Sequence, residues 1–291
     1  MDLLTLQKSN QLKAIAILMM LCLHLFNTLD YSGLFQPILF VGSKPVIFYI
    51  SLFCDACVPI FAFVSGYGLY YKYKKSPQTF MKDNFIRLKK LYLNYWVIIV
   101  LFAVLLGWIL GDPNYPGTIR KLLLNLSGLD GSYNGAWWFF TIYVFFVLSS
   151  SFWFKVLDRL SFWLLLPLLI GVYFAGFYLR IYKADLFIGQ GVMVNWFYNK
   201  FYLFFCTLPQ FLIGAFVIKY KWADRIKLLV SKIKYVNLLG FILIAGLIVF
   251  HGIVPNFVIA PFLGLAFILI YAQMKLPRWS NSFFDFMAPH V

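Results

Sequence analysis

Two ionisable side chains stand clearly inside long apolar runs, away from their ends: His24 in the first run and Asp55 in the second. A side chain that can carry charge is costly there, so each is a functional candidate by default. A neutral imidazole beside a carboxylate makes a general base of defined tautomer, poised near neutral pH. The plain alternative is a His–Asp pair that only ties two helices together, at modest stabilisation. A charge-capable pair is a costly fastener, which favours chemistry. Lys13 precedes His24 by eleven residues, and eleven helical steps of about 100° return to within about 20° of the same face. That spacing lets Lys13 and His24 line one wall, although by spacing alone Lys13 reads first as a lysine snorkelling at a helix end.

Other residues carry weaker signals. Lys72–Lys90 holds seven basic residues against the single acid Asp83. Such a connector satisfies the rule that cytoplasmic loops are basic. It is also suited to anionic phosphates, Arg87 by its bidentate fork and Lys89 or Lys90 as point charges. Phe61-Ala62-Phe63-Val64-Ser65-Gly66 ends with small residues that permit close helix approach. A buried Ser65 more often bonds back to its own helix than attacks a substrate. Trp137-Trp138 is most simply an aromatic belt at a membrane edge. His251 and His290 receive no role. Cys22, Cys54, Cys57 and Cys206 all lie in apolar runs. Cys54-Asp-Ala-Cys57 has C-x-x-C spacing, but with no accompanying ligand pair the four read as packing residues, neither disulfides nor metal ligands.

The elements that must position these residues follow from composition. Of 291 residues, 63% are hydrophobic and 12% charged, with a mean hydropathy of +0.83. A soluble domain carries roughly a quarter charged residues, so this chain could not cover its own surface in water. Apolar runs recur throughout, which makes residues 1–291 one integral-membrane domain. The net charge of +15 does not indicate nucleic acid, because the basic residues cluster in connectors between apolar runs. All ten acidic residues are Asp, for which composition offers no physical reason. No cleavable signal peptide is evident, since the first run is too long and lacks a small-residue cleavage site.

A membrane span needs about 20 mostly apolar residues, and only helices satisfy their backbone within one such run. The expected architecture is all-α, a polytopic bundle of about eight spans plus a short C-terminal interfacial or partial helix. The spans are Leu12–Leu29, Val46–Tyr71, Leu91–Leu110, Trp137–Phe154, Phe162–Leu179, Phe201–Ile218, Val236–His251 and Val254–Ala272. With the N-terminus inside, nineteen of the 25 basic residues fall on the inner side and six on the outer. That asymmetry places both termini in the cytoplasm. His24 then lies roughly 18 Å above Leu12 and about 12 Å below the outer edge, and Asp55 roughly 14 Å below it. The two depths agree. Pro59, Pro167, Pro209 and Pro261 interrupt spans and are expected to kink them.

Taken in order, these residues resemble the acyltransferase-3 family of bacterial membrane O-acyltransferases. That family carries Arg-x10-His in the first span and Phe-Phe-x-x-Ser-Gly closing the second. A basic Arg-x-x-Arg stretch precedes its third span, and a Trp-Phe-Leu-like motif opens its fourth. Here they read Lys13-x10-His24, Phe61-Ala62-Phe63-Val64-Ser65-Gly66, Arg87-Leu88-Lys89-Lys90 and Trp137-Trp138-Phe139-Phe140. Order and spacing match over roughly residues 10 to 155, and the later spans match in hydropathy. Lys13 and Lys90 replace arginines, and Ala62 replaces an aromatic residue.

The resemblance implies transfer of an acyl group, acetyl first among them, from acyl-CoA to a hydroxyl of a cell-surface or exported glycan or lipid-linked saccharide. The setting would be a bacterial plasma membrane, with no bound cofactor and no nucleic-acid partner. It implies His24 as base and Asp55 as its orienting partner. Lys13, Arg87 and Lys90 would meet donor phosphates, Ser65 and Gly66 would allow close packing, and Trp137 and Trp138 would face the acceptor. The family usually has ten spans, so residues 277–291 are expected to be the stub of a ninth, and the shortened chain weakly active or inactive. The rival from another class is a proton-coupled transporter or flippase subunit with His24 and Asp55 as a relay. No inverted repeat or pair of broken helices supports it, and acyl-CoA dependence separates the two.

Overall fold

The computed structural model describes residues 4–287. The helices are α1 (Leu6–Phe26), α2 (Val46–Phe53), α3 (Cys57–Lys75), α4 (Phe80–Ile98), α5 (Leu106–Leu110), α6 (Ile119–Leu126) and α7 (Trp138–Arg159). They continue as α8 (Phe162–Tyr182), α9 (Val192–Lys219), α10 (Trp222–Val230), α11 (Val236–Ile253), α12 (Ala260–Gln273) and α13 (Arg278–Met287). A small antiparallel ribbon, β1 (Phe40–Val41) with β2 (Lys44–Pro45), pairs Phe40 with Pro45 and Val41 with Lys44. Among the described residues, seven helical stretches are long and apolar enough to cross a bilayer: Leu6–Phe26, Val46–Lys75, Phe80–Leu110, Gly135–Arg159, Phe162–Tyr182, Val192–Lys219 and Val236–Ile253. The protein is an all-α helical bundle with the marks of a multi-pass membrane protein.

Three boundaries depart from the expected ones. The first span starts at Leu6, not Leu12, because the Thr5 hydroxyl caps it by accepting from the Lys8 amide at 3.1 Å. The span ends at Phe26, not Leu29, which puts His24 in its last turn. The basic stretch Lys72–Lys90 is mostly helix and not a loop, since α3 runs to Lys75 and α4 begins at Phe80. Stretches of 30 and 31 residues reach about 45 Å, well beyond a core of about 30 Å, so their basic ends can extend past it. The eighth run loses its first part. Pro255 disfavours helix at Val254, and the Asn256 side chain accepts from the Val258 amide at 2.8 Å in a local turn. The fourteen residues of α12 remain.

The chain divides into two compact units, Met1–Tyr71 with Thr207–Val291, and Lys72–Cys206. In the first, α1, α2, α3 and α12 bury a core that includes Leu12, Phe53, Ile60, Phe63, Phe267 and Tyr271. Helices α3 and α9 cross closely. A Cβ on Gly66 would collide with the Phe211 carbonyl, and one on Gly214 with the Phe63 carbonyl. A buried polar network fastens α13 to α1. The Gln11 amide donates to Asn281 at 3.0 Å and to Asp285 at 3.2 Å, and accepts from the Tyr271 hydroxyl at 2.9 Å. The tail expected to be a span stub is thus a ten-residue helix docked by its polar side. Residues 288–291, the end of that stretch, lie outside the described residues.

In the second unit the third span is α-helical through α4, π-helical over Ile99–Leu105, and α-helical again in α5. Tyr95, Ile99, Ala103 and Tyr133 form a buried cluster there, with Tyr92, Trp137 and Phe140 against it.

Candidate active site

The second span is not one continuous α-helix. A 3-10 turn, Cys54–Ala56, separates α2 from α3, and Asp55 is its central residue. A short 3-10 stretch inside a span often marks a functional position. Helix α1 packs against both α2 and this turn, and α11 packs against α2. The packing gathers residues from four segments around a cleft of about 540 Å³. Its polar lining is His24 and Asn27 from the end of α1, Asp55, His251 near the end of α11, and Asn256 from the turn before α12. Leu23, Leu52, Pro255 and Phe257 supply the apolar walls.

His24 and Asp55 therefore share one cleft, as their depths in the sequence suggested. The imidazole that lies against Asp55, however, is a different one. His251 Nε2 lies 3.5 Å from Asp55 Oδ2, and the His251 side chain is 1% exposed. Asp55 Oδ1 is buried without a hydrogen-bond partner, while backbone groups of Leu52 and Asn256 lie against the His251 ring. Both histidines stand in the last turn of their helices, two residues before Phe26 and Ile253. An imidazole and a carboxylate facing a half-apolar cleft can take a proton from a hydroxyl and hold it.

The other sequence-picked residues are distributed as follows. Lys13 is half-buried on α1, about 16 Å along the axis from His24. Ser65 is half-buried and Gly66 buried on α3. The second of these is a packing residue, pressed against the Phe211 backbone. Arg87, Lys90, Trp137 and Trp138 belong to the second unit. Arg87 and Lys90 are three apart on α4 and thus surface neighbours; Arg87 is half-buried and bonded to the Tyr143 hydroxyl, while Lys90 is exposed. Trp137 packs edge-on against Tyr95, with centroids 5.0 Å apart, so part of its role is to hold the loop. Trp138 opens α7, half-buried. The cysteines are free, with Cys54 and Cys57 in the first unit's core.

Sequence reasoning missed His251. The signal was available, because it is the only other histidine inside an apolar run and it sits near that run's outer end, as His24 does. Neither the curated proteins nor the solved structures include a match to this chain. One family does match, described as an acyltransferase domain, over residues 7–291. That stretch contains the four sequence motifs and the cleft and takes in nearly the whole chain, and the protein accordingly belongs to the acyltransferase-3 family of membrane acyltransferases.

Proposed function

We propose that this acyltransferase moves an acyl group, acetyl first among them, from acyl-CoA to a hydroxyl of a cell-surface or exported glycan or lipid-linked saccharide. The setting is a bacterial plasma membrane with both termini in the cytoplasm. The observation that carries this reading is the meeting of His24 and Asp55 in one cleft near the C-terminal end of α1. By the basic-loop asymmetry, that end faces outward, toward an exported acceptor.

In this reading His24 takes the proton of the acceptor hydroxyl as its oxygen bonds to the thioester carbonyl carbon. The carbon–sulfur bond then breaks, and the leaving thiolate takes the proton from His24. Asp55 steadies the imidazolium between the two steps, which is where its charge is worth most. Lys13, Arg87 and Lys90 meet donor phosphates. The arm between phosphate and thioester then covers about 16 Å along α1, from Lys13 to His24. Purified protein in nanodiscs, given acetyl-CoA with the acyl carbon labelled and a panel of polysaccharide acceptors, should release free CoA and label the acceptor in step. No acyl-CoA-dependent transfer with any acceptor, by protein that is folded and inserted, would refute the proposal.

A further inference from the structure

We infer that His251 is a positioning residue of the acyl-transfer site, holding the Asp55 carboxyl group in place beside His24. The inference rests on the acyl-transfer reading above and adds a third member to the site. Its starting point is the 3.5 Å approach of His251 Nε2 to Asp55 Oδ2.

Two observations separate this pair from a structural tether. The first is that it is unsaturated. Asp55 Oδ1 is buried without a hydrogen-bond partner, and a buried polar atom left so in a native fold needs a reason. The same unit contains a tether for comparison: the Gln11 side chain is fully buried, and its oxygen and amide nitrogen both bond to Tyr271, Asn281 and Asp285. The second observation is the cleft. Asp55 and His251 line it together with His24, so a group entering it comes up against all three.

The geometry divides the work between two imidazoles. His251 comes from α11, which packs on α2, and α2 leads directly into the Asp55 turn. Its ring, 3.5 Å from Oδ2, restricts the rotation of the carboxyl group. His24, exposed at the end of α1, stays free to exchange its proton. The acidic and basic groups that share the cleft are these three alone among the described residues.

The chain has three histidines, which makes the test direct. In nanodisc-embedded protein labelled with 15N-histidine, signals are assigned with His24→Gln and His251→Gln. Asp55→Asn should then shift the His251 ring signals markedly. In turnover, His251→Gln should lower kcat about ten- to a hundredfold, the scale on which losing an orienting partner is felt, with KM for donor and acceptor within about threefold. The double variant with Asp55→Asn should lose little more than Asp55→Asn alone. A His251 signal unmoved by Asp55→Asn, or near-normal turnover by His251→Gln beside a dead His24→Ala, would overturn the inference. Coupled His251 and Asp55 signals in a wild-type chain with no acyl transfer would sink the transfer reading instead, and reduce the pair to a tether.

Discussion

Pro59 follows Asp55 by four residues, the spacing at which an α-helix would ask residue 59 for an N–H that proline lacks. The 3-10 turn Cys54–Ala56 falls where that bond is missing. Restoring the donor in Pro59→Ala should let α2 and α3 merge into one regular helix and turn Asp55 away from the cleft. Turnover is expected to fall at least about tenfold, since a misplacement of about 1 Å can cost a hundredfold. The unfolding midpoint should not drop, because an interior proline is a cost to the helix. Parallel turnover and thermal-melt measurements on the variant decide it, and unchanged turnover would make the break incidental.

His24→Ala should abolish acyl transfer, with a loss of about 10²–10⁴-fold, while the protein stays inserted in the membrane. Asp55→Asn should be milder, because an amide oxygen can still orient a neighbouring ring. Labelled acyl transfer by the purified variants provides the comparison. Near-normal transfer by His24→Ala would remove it as the base.

Arg87 and Lys90 should act on donor affinity. Contacts made equally in ground and transition states raise KM without lowering kcat when removed. Arg87→Glu is expected to raise donor KM about tenfold or more, in line with about 1.5–3 kcal/mol for a charged hydrogen bond. Lys90→Ala should raise it less, and Lys13→Arg should be tolerated. Tyr143→Phe serves as control, since it removes the hydroxyl bonded to Arg87 but keeps the ring. If Arg87→Glu leaves donor saturation curves unchanged, the charge serves topology only.

Two glycines of α3 should respond with opposite signs. A methyl group at Gly66 collides with the Phe211 carbonyl, whereas one at Gly68 meets nothing within 4 Å. Gly66→Ala should cost about 1–3 kcal/mol by forcing α3 from α9. Gly68→Ala should gain up to about 1 kcal/mol from reduced backbone freedom. Thermal unfolding of both in the same detergent is the check, and a neutral Gly66→Ala would show that the crossing can relax.

The sequence by itself determined the helical class and most of the spans, because lipid leaves a chain few alternatives. Runs of about 20 apolar residues must satisfy their backbone internally, and the rule acts on each run separately. It also picked out His24 and Asp55, since an ionisable group in such a run stands out without knowledge of its neighbours. Where one run stops was less legible. The Thr5 cap and the Asn256 turn depend on single side-chain bonds, which hydropathy does not register. The partner of Asp55 was beyond its reach altogether. His251 lies 196 positions further along the chain, and nothing in local spacing relates it to the second span. Only the packing of α11 on α2 brings them to 3.5 Å, because which helices become neighbours depends on the shapes of whole faces, as where Gly66 lets α3 meet α9.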